Sequence, residues 1–251
     1  MTDPTNLAAA LPGVGQVQAA MVQGTARGAN QLRDGGSQPT SPLQTLLVRP
    51  IPIGVAKGIL EQRHYLHSLP GGTGLAFGTF LNSRLLGALT LGFGPKNAHR
   101  LVQGASPADC LTLTRLWLSD ELPKNSESRV LGIVLRALKR ETRVKFLLSY
   151  ADPSQGHLGG IYQATGWVYT GLSQATPLYD IGDGQARHSR SLSHSYGSHS
   201  LEHFARHGVT VRLVEQTAKH RYLHFLDAAW QDRLTVAALP YPKSEVKHGR
   251  D

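Results

Sequence analysis

No aromatic residue occurs in this chain of 251 residues before Tyr65. A folded core needs large apolar side chains to offset the entropy of ordering the backbone, and the first 45 residues are mostly Ala, Gly, Gln, Thr, Ser and Pro. Residues 1–45 are therefore expected to be a flexible leader, with the fold beginning at about residue 46. What remains suits one large domain. It is expected over 46–240, with 181–240 as a basic, histidine-rich portion and 241–251 as a tail.

A lone cysteine, Cys110, excludes an internal disulfide framework and a zinc site built from several thiolates. The first residues lack the basic and apolar regions of a signal peptide, and no apolar run approaches the roughly 18 residues of a membrane span. A cytoplasmic protein with no membrane partner is the expectation. The formal net charge of +9 points instead to a polyanion, because Lys and Arg that neutralise phosphates release counterions. The leader is neutral. Residues 46–180 carry fourteen bases against eight acids, and 181–251 carry ten against seven.

Pattern then gives elements. Ile53, Ala56, Ile59 and Leu60 recur at helical spacing behind Pro52, predicting a helix that ends near His64-Tyr65. Thr73–Leu81 and Leu85–Phe93 read as a hairpin, and Cys110–Leu118 as a third strand. Val130, Ile133, Val134, Ala137 and Leu138 mark an amphipathic helix fed by 123–129. Phe146–Ala151 is a short strand ending at Asp152-Pro153. A helix over His157–Thr165, short strands at Trp167–Thr170 and Leu178–Ile181, a helix capped by Ser198, strands at 209–214 and Tyr222–Leu226, and a terminal helix complete the expectation. Alternating strands and helices imply an α/β fold with one mixed central sheet flanked by helices.

Ligands of open α/β sheets bind beyond the carboxyl ends of strands, so Asp152, at such an end, is a hydrogen-bond acceptor or general base, or the turn former that Asp before Pro commonly is. Arg115 shares strand parity with Leu111, Leu113 and Trp117, which turns it toward a buried face; there it pairs with an acid or binds an anion. Ser126, Ser128, Lys124 and Arg129 surround a helix start, where a phosphate or ordinary capping is served equally well. Tyr162 is an acid or a packing residue with a wet hydroxyl. His64 and Tyr65, with His67, suit acid–base, metal or stacking roles. Arg187, Arg190, Lys219 and Arg221 suit a DNA track or a solvated face. His199, His203 and His207 have chelating spacing, but no Cys or carboxylate completes a ligand set.

Several strings carry more than their composition. Leu148-Ser149-Tyr150-Ala151-Asp152-Pro153, followed by His157 to Trp167, resembles the late strand, helix and hairpin of the GNAT acyltransferase superfamily. With His64-Tyr65, Leu113-Thr114-Arg115-Leu116-Trp117 and Lys219-His220-Arg221-Tyr222, the set resembles the phage Mom proteins over about residues 48–226. The resemblance implies a GNAT-like fold and conversion of adenine to N6-carbamoylmethyladenine in double-stranded DNA, which shields bacteriophage DNA from host restriction. It implies His64, Tyr65, Arg115, Asp152 and Tyr162 as the catalytic set, and Lys124, Ser126, Ser128 and Arg129 at the phosphate end of a small-molecule group donor. An acetyl-CoA-like donor follows from the fold and iron from the family. One departure stands out: the GNAT phosphate loop reads Gln or Arg, two residues, Gly, any residue, then Gly or Ala, and this chain has Lys124-Asn125-Ser126-Glu127-Ser128-Arg129 in its place. A GNAT-type N-acyltransferase acting on a protein or small amine is the alternative function.

Overall fold

The computed structural model describes residues 45–243, apart from Thr176, Gln185, His188 and His199 and the side chains of Arg190, Ser191 and His194. Residues 1–44 of the expected leader and 244–251 of the expected tail lie outside the described residues.

The chain forms two compact units. Unit one holds the residues up to 150 together with 159–170 and 222–241. Its elements are β1 (Leu47–Pro50), α1 (Ile53–Arg63), β2 (Thr73–Leu81), β3 (Arg84–Gly92), β4 (Cys110–Leu118), α2 (Ser126–Glu141), β5 (Phe146–Ala151), α3 (Gly160–Ala164) and β6 (Val168–Leu172). Unit two, from 151–158 and 171–221, brings β7 (Leu178–Asp180), β8 (Ala186–Arg187), α4 (Ser189–Tyr196), α5 (Leu201–Arg206) and β9 (Arg212–Val214). β10 (His220–Phe225) then completes the large sheet, whose strand order is β1-β2-β3-β4-β5-β10-β6. The expected mixed α/β sheet is therefore present. It is not alone: β8-β7-β9 form a second sheet of three strands, so the strand expected at 178–181 belongs elsewhere.

Local chemistry explains the elements. Pro52 sits at the N-cap of α1, which buries Ala56 and Leu60 and ends with Arg63 in its last turn. The β2–β3 hairpin turns through Asn82 and Ser83, both at positive φ (49° and 62°), as the primed turns that suit a twisted hairpin require. α1 packs with Ile51, Ala76, Phe80 and Ala88 in one apolar cluster, while Cys110, Phe146, Leu148 and Leu223 belong to a second. Each fully buried side chain of leucine or phenylalanine size contributes about 1.5–3 kcal/mol.

Three expected helices differ. Asp152 caps a separate 3-10 turn at Pro153–Gln155, and Gly159 is left-handed (φ 79°), so the helix expected over 157–165 is cut to Gly160–Ala164. Ser200, not Ser198, caps α5, accepting from the His203 amide at 3.4 Å. The terminal helix is a 3-10 segment, Ala228–Arg233. Strands 209–214 and Tyr222–Leu226 become Arg212–Val214 and His220–Phe225.

Candidate active site

β4 and β5 run parallel, but they pair only from Cys110 against Phe146 to Thr112 against Leu148. Immediately beyond, β4 bulges. Against β3, Leu113 is opposite Leu91 and Arg115 is opposite Thr90, so Thr114 is the extra residue. Thr114 Oγ1 donates to the Thr90 carbonyl (3.1 Å) and lies 2.9 Å from the Thr90 hydroxyl. The bulge parts the two strands at their carboxyl ends, where ligands of such sheets sit.

The same bulge corrects the parity reading of Arg115. Because successive residues of β3 face opposite sides, Arg115 is on the side of Thr90, Ala88 and Trp117, and opposite to Leu113. That is the side of α1. The loop after α1 meets it: Arg115 Nε donates to the Ser68 carbonyl (3.0 Å), Nη1 to the Thr114 carbonyl (2.7 Å) and Nη2 to the Ser68 hydroxyl (3.4 Å). No carboxylate lies within ion-pair distance of Arg115 among the described residues. Burial lowers its pKa while nearby Tyr65 works the other way; a guanidinium is cationic at neutral pH. Of its five N–H groups, two have no partner among the described residues. The acid partner that one reading of Arg115 called for is not found among the described residues.

Tyr65 is 40% exposed and stacks on buried His64, ring centroids 4.4 Å apart. His64 ends α1, and its Nδ1 accepts from the Leu66 amide at 3.1 Å, holding the loop that carries both Tyr65 and Ser68.

Tyr162 of α3 is buried, and the wet hydroxyl expected of it is not there. Its hydroxyl lies 2.8 Å from that of Ser149, which is also 3.1 Å from the carbonyl of Leu113, beside the bulge. Burial, with Tyr65 and Tyr222 adding to it, pushes the Tyr162 phenol up to about 12 against the opposing bond from Ser149. It is a neutral phenol that holds Ser149 of β5, whose hydroxyl also reaches the Leu113 carbonyl of β4. Its ring packs against Trp167 and Tyr222, at 5.0 and 5.1 Å. Sequence reasoning passed over Ser68 and Ser149, each a serine in a run with no pattern to single it out.

In unit two, Asp152 Oδ1 accepts from the Ser154 amide (3.0 Å) and hydroxyl (2.6 Å), and Oδ2 faces Lys219 Nζ at 3.1 Å. The turn-forming reading is filled, and a charge partner is added. Burial alone would raise this carboxyl, but the bonds from Ser154 and Lys219 outweigh it and hold it below the usual range. Asp152 is thus a standing acceptor at neutral pH. Arg187 is similarly occupied, paired with Asp183, which raises its pKa. Arg221 is half-buried, and the Arg190 side chain lies outside the described residues.

At the start of α2, the Ser126 hydroxyl is buried and donates to the Pro123 carbonyl (2.6 Å), and that of Ser128 donates to the Asn125 carbonyl (3.1 Å). Neither caps the helix. Asn125, at φ 68°, takes the left-handed conformation that a loop glycine would, and no side chain caps the first turn. An anionic donor group fits here through backbone amides with Lys124 and Arg129, both exposed, rather than through the serine hydroxyls. Iron fits less well. Among the described residues no group of three or more His, Cys, Asp or Glu side chains is placed to hold a metal ion, and His199 lies outside them. Tyr162 is bound to Ser149 rather than offered as a phenolate. No helix of the described residues is long and apolar enough to cross a membrane.

These elements define an α/β protein in which a parallel strand pair parts at a bulge beside an arginine that no acid among the described residues neutralises. The chain belongs to the Mom protein family, which it matches over residues 45–243. It is 28% identical over 210 residues to the methylcarbamoylase mom of Escherichia phage Mu, covering 79% of this chain and 84% of that protein. Among solved structures it is similar to a probable acetyltransferase from Staphylococcus epidermidis (7% identity, 72% of this chain and 98% of that one, TM-score 0.42). Another is a GNAT family N-acetyltransferase from Escherichia coli in complex with CoA (14% identity, 82% and 92%, TM-score 0.42).

Proposed function

We propose that this protein is a DNA-modifying transferase that converts adenine to N6-carbamoylmethyladenine in double-stranded DNA, acting in the host cytoplasm to protect bacteriophage DNA from restriction. Membership of the Mom family and the likeness to a methylcarbamoylase support it. The observation that carries it is Arg115, cationic, half-buried and, among the described residues, without a carboxylate partner where β4 leaves β5.

Adenine N6 is a poor nucleophile because its lone pair is delocalised into the ring. An enzyme therefore gains by accepting a hydrogen bond from N6–H. Asp152, held ionised in unit two, suits that role. The two N–H groups of Arg115 that have no partner among the described residues would bind the carboxamide oxygen of the transferred group and so orient its methylene carbon toward N6. The exposed Tyr65 ring, fixed on His64, offers a stacking face to a base rotated out of the duplex. Tyr162 acts by holding Ser149. The backbone at Asn125–Ser128 with Lys124 and Arg129 would hold the anionic part of a group donor, which would supply a methylene carbon that bears the carboxamide and would leave with the electron pair of the bond broken as N6 bonds to that carbon.

Nucleoside mass spectrometry of plasmid DNA from cells expressing the protein tests this. A carbamoylmethylated deoxyadenosine is expected, and Arg115→Gln is expected to lower its yield about a hundredfold, as misplacement of a reacting group does. Soluble protein with unmodified DNA overturns the proposal. Acylated protein or small amines in its place would establish the N-acyltransferase alternative.

A further inference from the structure

Five exposed bases are concentrated along α2 and just past its end. From Ser126 to Arg143 the chain carries Arg129, Arg136, Lys139, Arg140 and Arg143 against Glu127 and Glu141, and all five bases are exposed. At about 100° per residue, Arg129, Arg136 and Arg140 fall within about 40° of one another on α2, and Arg143 follows just past its end. Among the described residues only Arg140 of the five has an ion-pair partner, Glu141. The row is about 16 Å long from Arg129 to Arg140. It runs into an open cleft of about 280 Å³ lined by Lys139, Thr142, Arg143, Lys145 and Asp227. Beside the cleft, Trp230 has Lys145 Nζ 5.9 Å and the Arg233 guanidinium 4.8 Å from its ring centre.

Balancing the helix dipole does not account for this row. Cations are favoured in a helix's last turn, which covers Lys139 and Arg140, yet Arg129 is near the positive end and Arg136 is in the middle. The terminal Leu138 carbonyl already accepts from the Thr142 amide (3.0 Å) and hydroxyl (2.7 Å). A straight row of guanidinium groups, whose planar forks match phosphate, suits a repeated phosphate backbone better than one small anion.

We propose that duplex DNA docks along Arg136, Arg140 and Arg143 of this row and its terminal cleft, through its backbone and without reading sequence, Arg129 being left to the donor. This rests on the reading of the protein as a DNA-modifying enzyme. It moves the main electrostatic contact away from Arg187 and Lys219, whose charges Asp183 and Asp152 already meet.

The test is fluorescence anisotropy of the full chain with a labelled duplex oligonucleotide over a range of salt, alongside the DNA-modification assay. For R136E/R143E the slope of log K against log salt is expected to fall by about 1.8, at about 0.9 for each phosphate no longer neutralised. Affinity at low salt is expected to fall at least tenfold, and R136Q/R143Q is expected to give the same slope change with a smaller drop in affinity. K57E/R84E, which alters exposed charges already paired with Glu61 and Glu121, is expected to bind within about threefold of the wild type. Thermal unfolding of each variant confirms that it folds. Wild-type slope and affinity in R136E/R143E, with modification intact, would overturn the docking row and leave the proposed function standing. A wild type that neither binds duplex nor modifies DNA would overturn both. Binding to vesicles of anionic lipid without binding to duplex would overturn the DNA assignment.

Discussion

In unit one Trp167, Tyr222, Phe77 and Phe146 are fully buried, and Tyr162, Tyr169 and Tyr222 form an aromatic cluster of tilted rings. In unit two the buried apolar side chains are Ala151, Leu192 and Phe204, while charge pairs join Lys219 to Asp152, Arg212 to Asp180 and Arg187 to Asp183. Apolar burial is far less sensitive to moderate salt and acid than charge pairing is. Perturbations that act on packing and those that act on charge should therefore separate the units.

The largest effect belongs to packing. Gly159 is at φ 79°, and a Cβ there would stand 2.4 Å from Cε2 of Tyr222, a ring with no exposed surface into which to move. Gly159→Ala should cost about 2–5 kcal/mol, combining the strain of a left-handed residue with overpacking. Urea unfolding followed by tryptophan emission checks it, because Trp117, Trp167 and Trp230 are all in unit one. A destabilisation that high salt enlarges would mean that unit one also leans on charge.

Acid should single out unit two. The Gly182 amide first, against burial, and then Arg212 hold Asp180 below its ordinary 3.8, and Asp152 is held low by Ser154 and Lys219 against its burial. A carboxylate depressed by folding adds stability that is complete above its unfolded value and disappears as the pH falls through the lower folded one. Hydrogen exchange is therefore expected to accelerate in 178–214 below about pH 4 while tryptophan emission holds. Simultaneous unfolding of both units would break the comparison.

The sequence was legible where spacing is enough. Cys110–Leu118 and Phe146–Ala151 are strands with the expected ends, and Pro52 and Asn82-Ser83 mark the helix start and the turn they suggested. It was not legible where one residue changes the register. Thr114 is an ordinary strand residue, yet as the bulge it moves Arg115 to the face opposite Leu113. Ser68 and Ser149 join the site through backbone carbonyls, and such bonds leave no trace in residue type. The site residues read from the resemblance fall into two groups: His64, Tyr65, Arg115 and Tyr162 in unit one, and Asp152 in unit two. The positive charge was legible in amount but not in position, because the partners of Arg187 and Lys219 become visible only in three dimensions.

The smallest effect tests whether every charge in unit two matters. Arg206 and Glu202 are one helical turn apart on α5 at 3.7 Å, with side chains 70% and 79% exposed. Water competes for both groups, and ordering two long side chains offsets most of the attraction, so Arg206→Ala should change stability by no more than about 0.5 kcal/mol. Urea unfolding of the variant, followed by hydrogen exchange in 201–206, checks the value. The pairs that matter are those whose acid is buried, as Asp152 and Asp180 are, because removing a partner there leaves a charge that water reaches poorly. A cost well above 1 kcal/mol for Arg206→Ala would mean that exposed pairs stabilise unit two as a network, and its sensitivity to salt would then extend to α5.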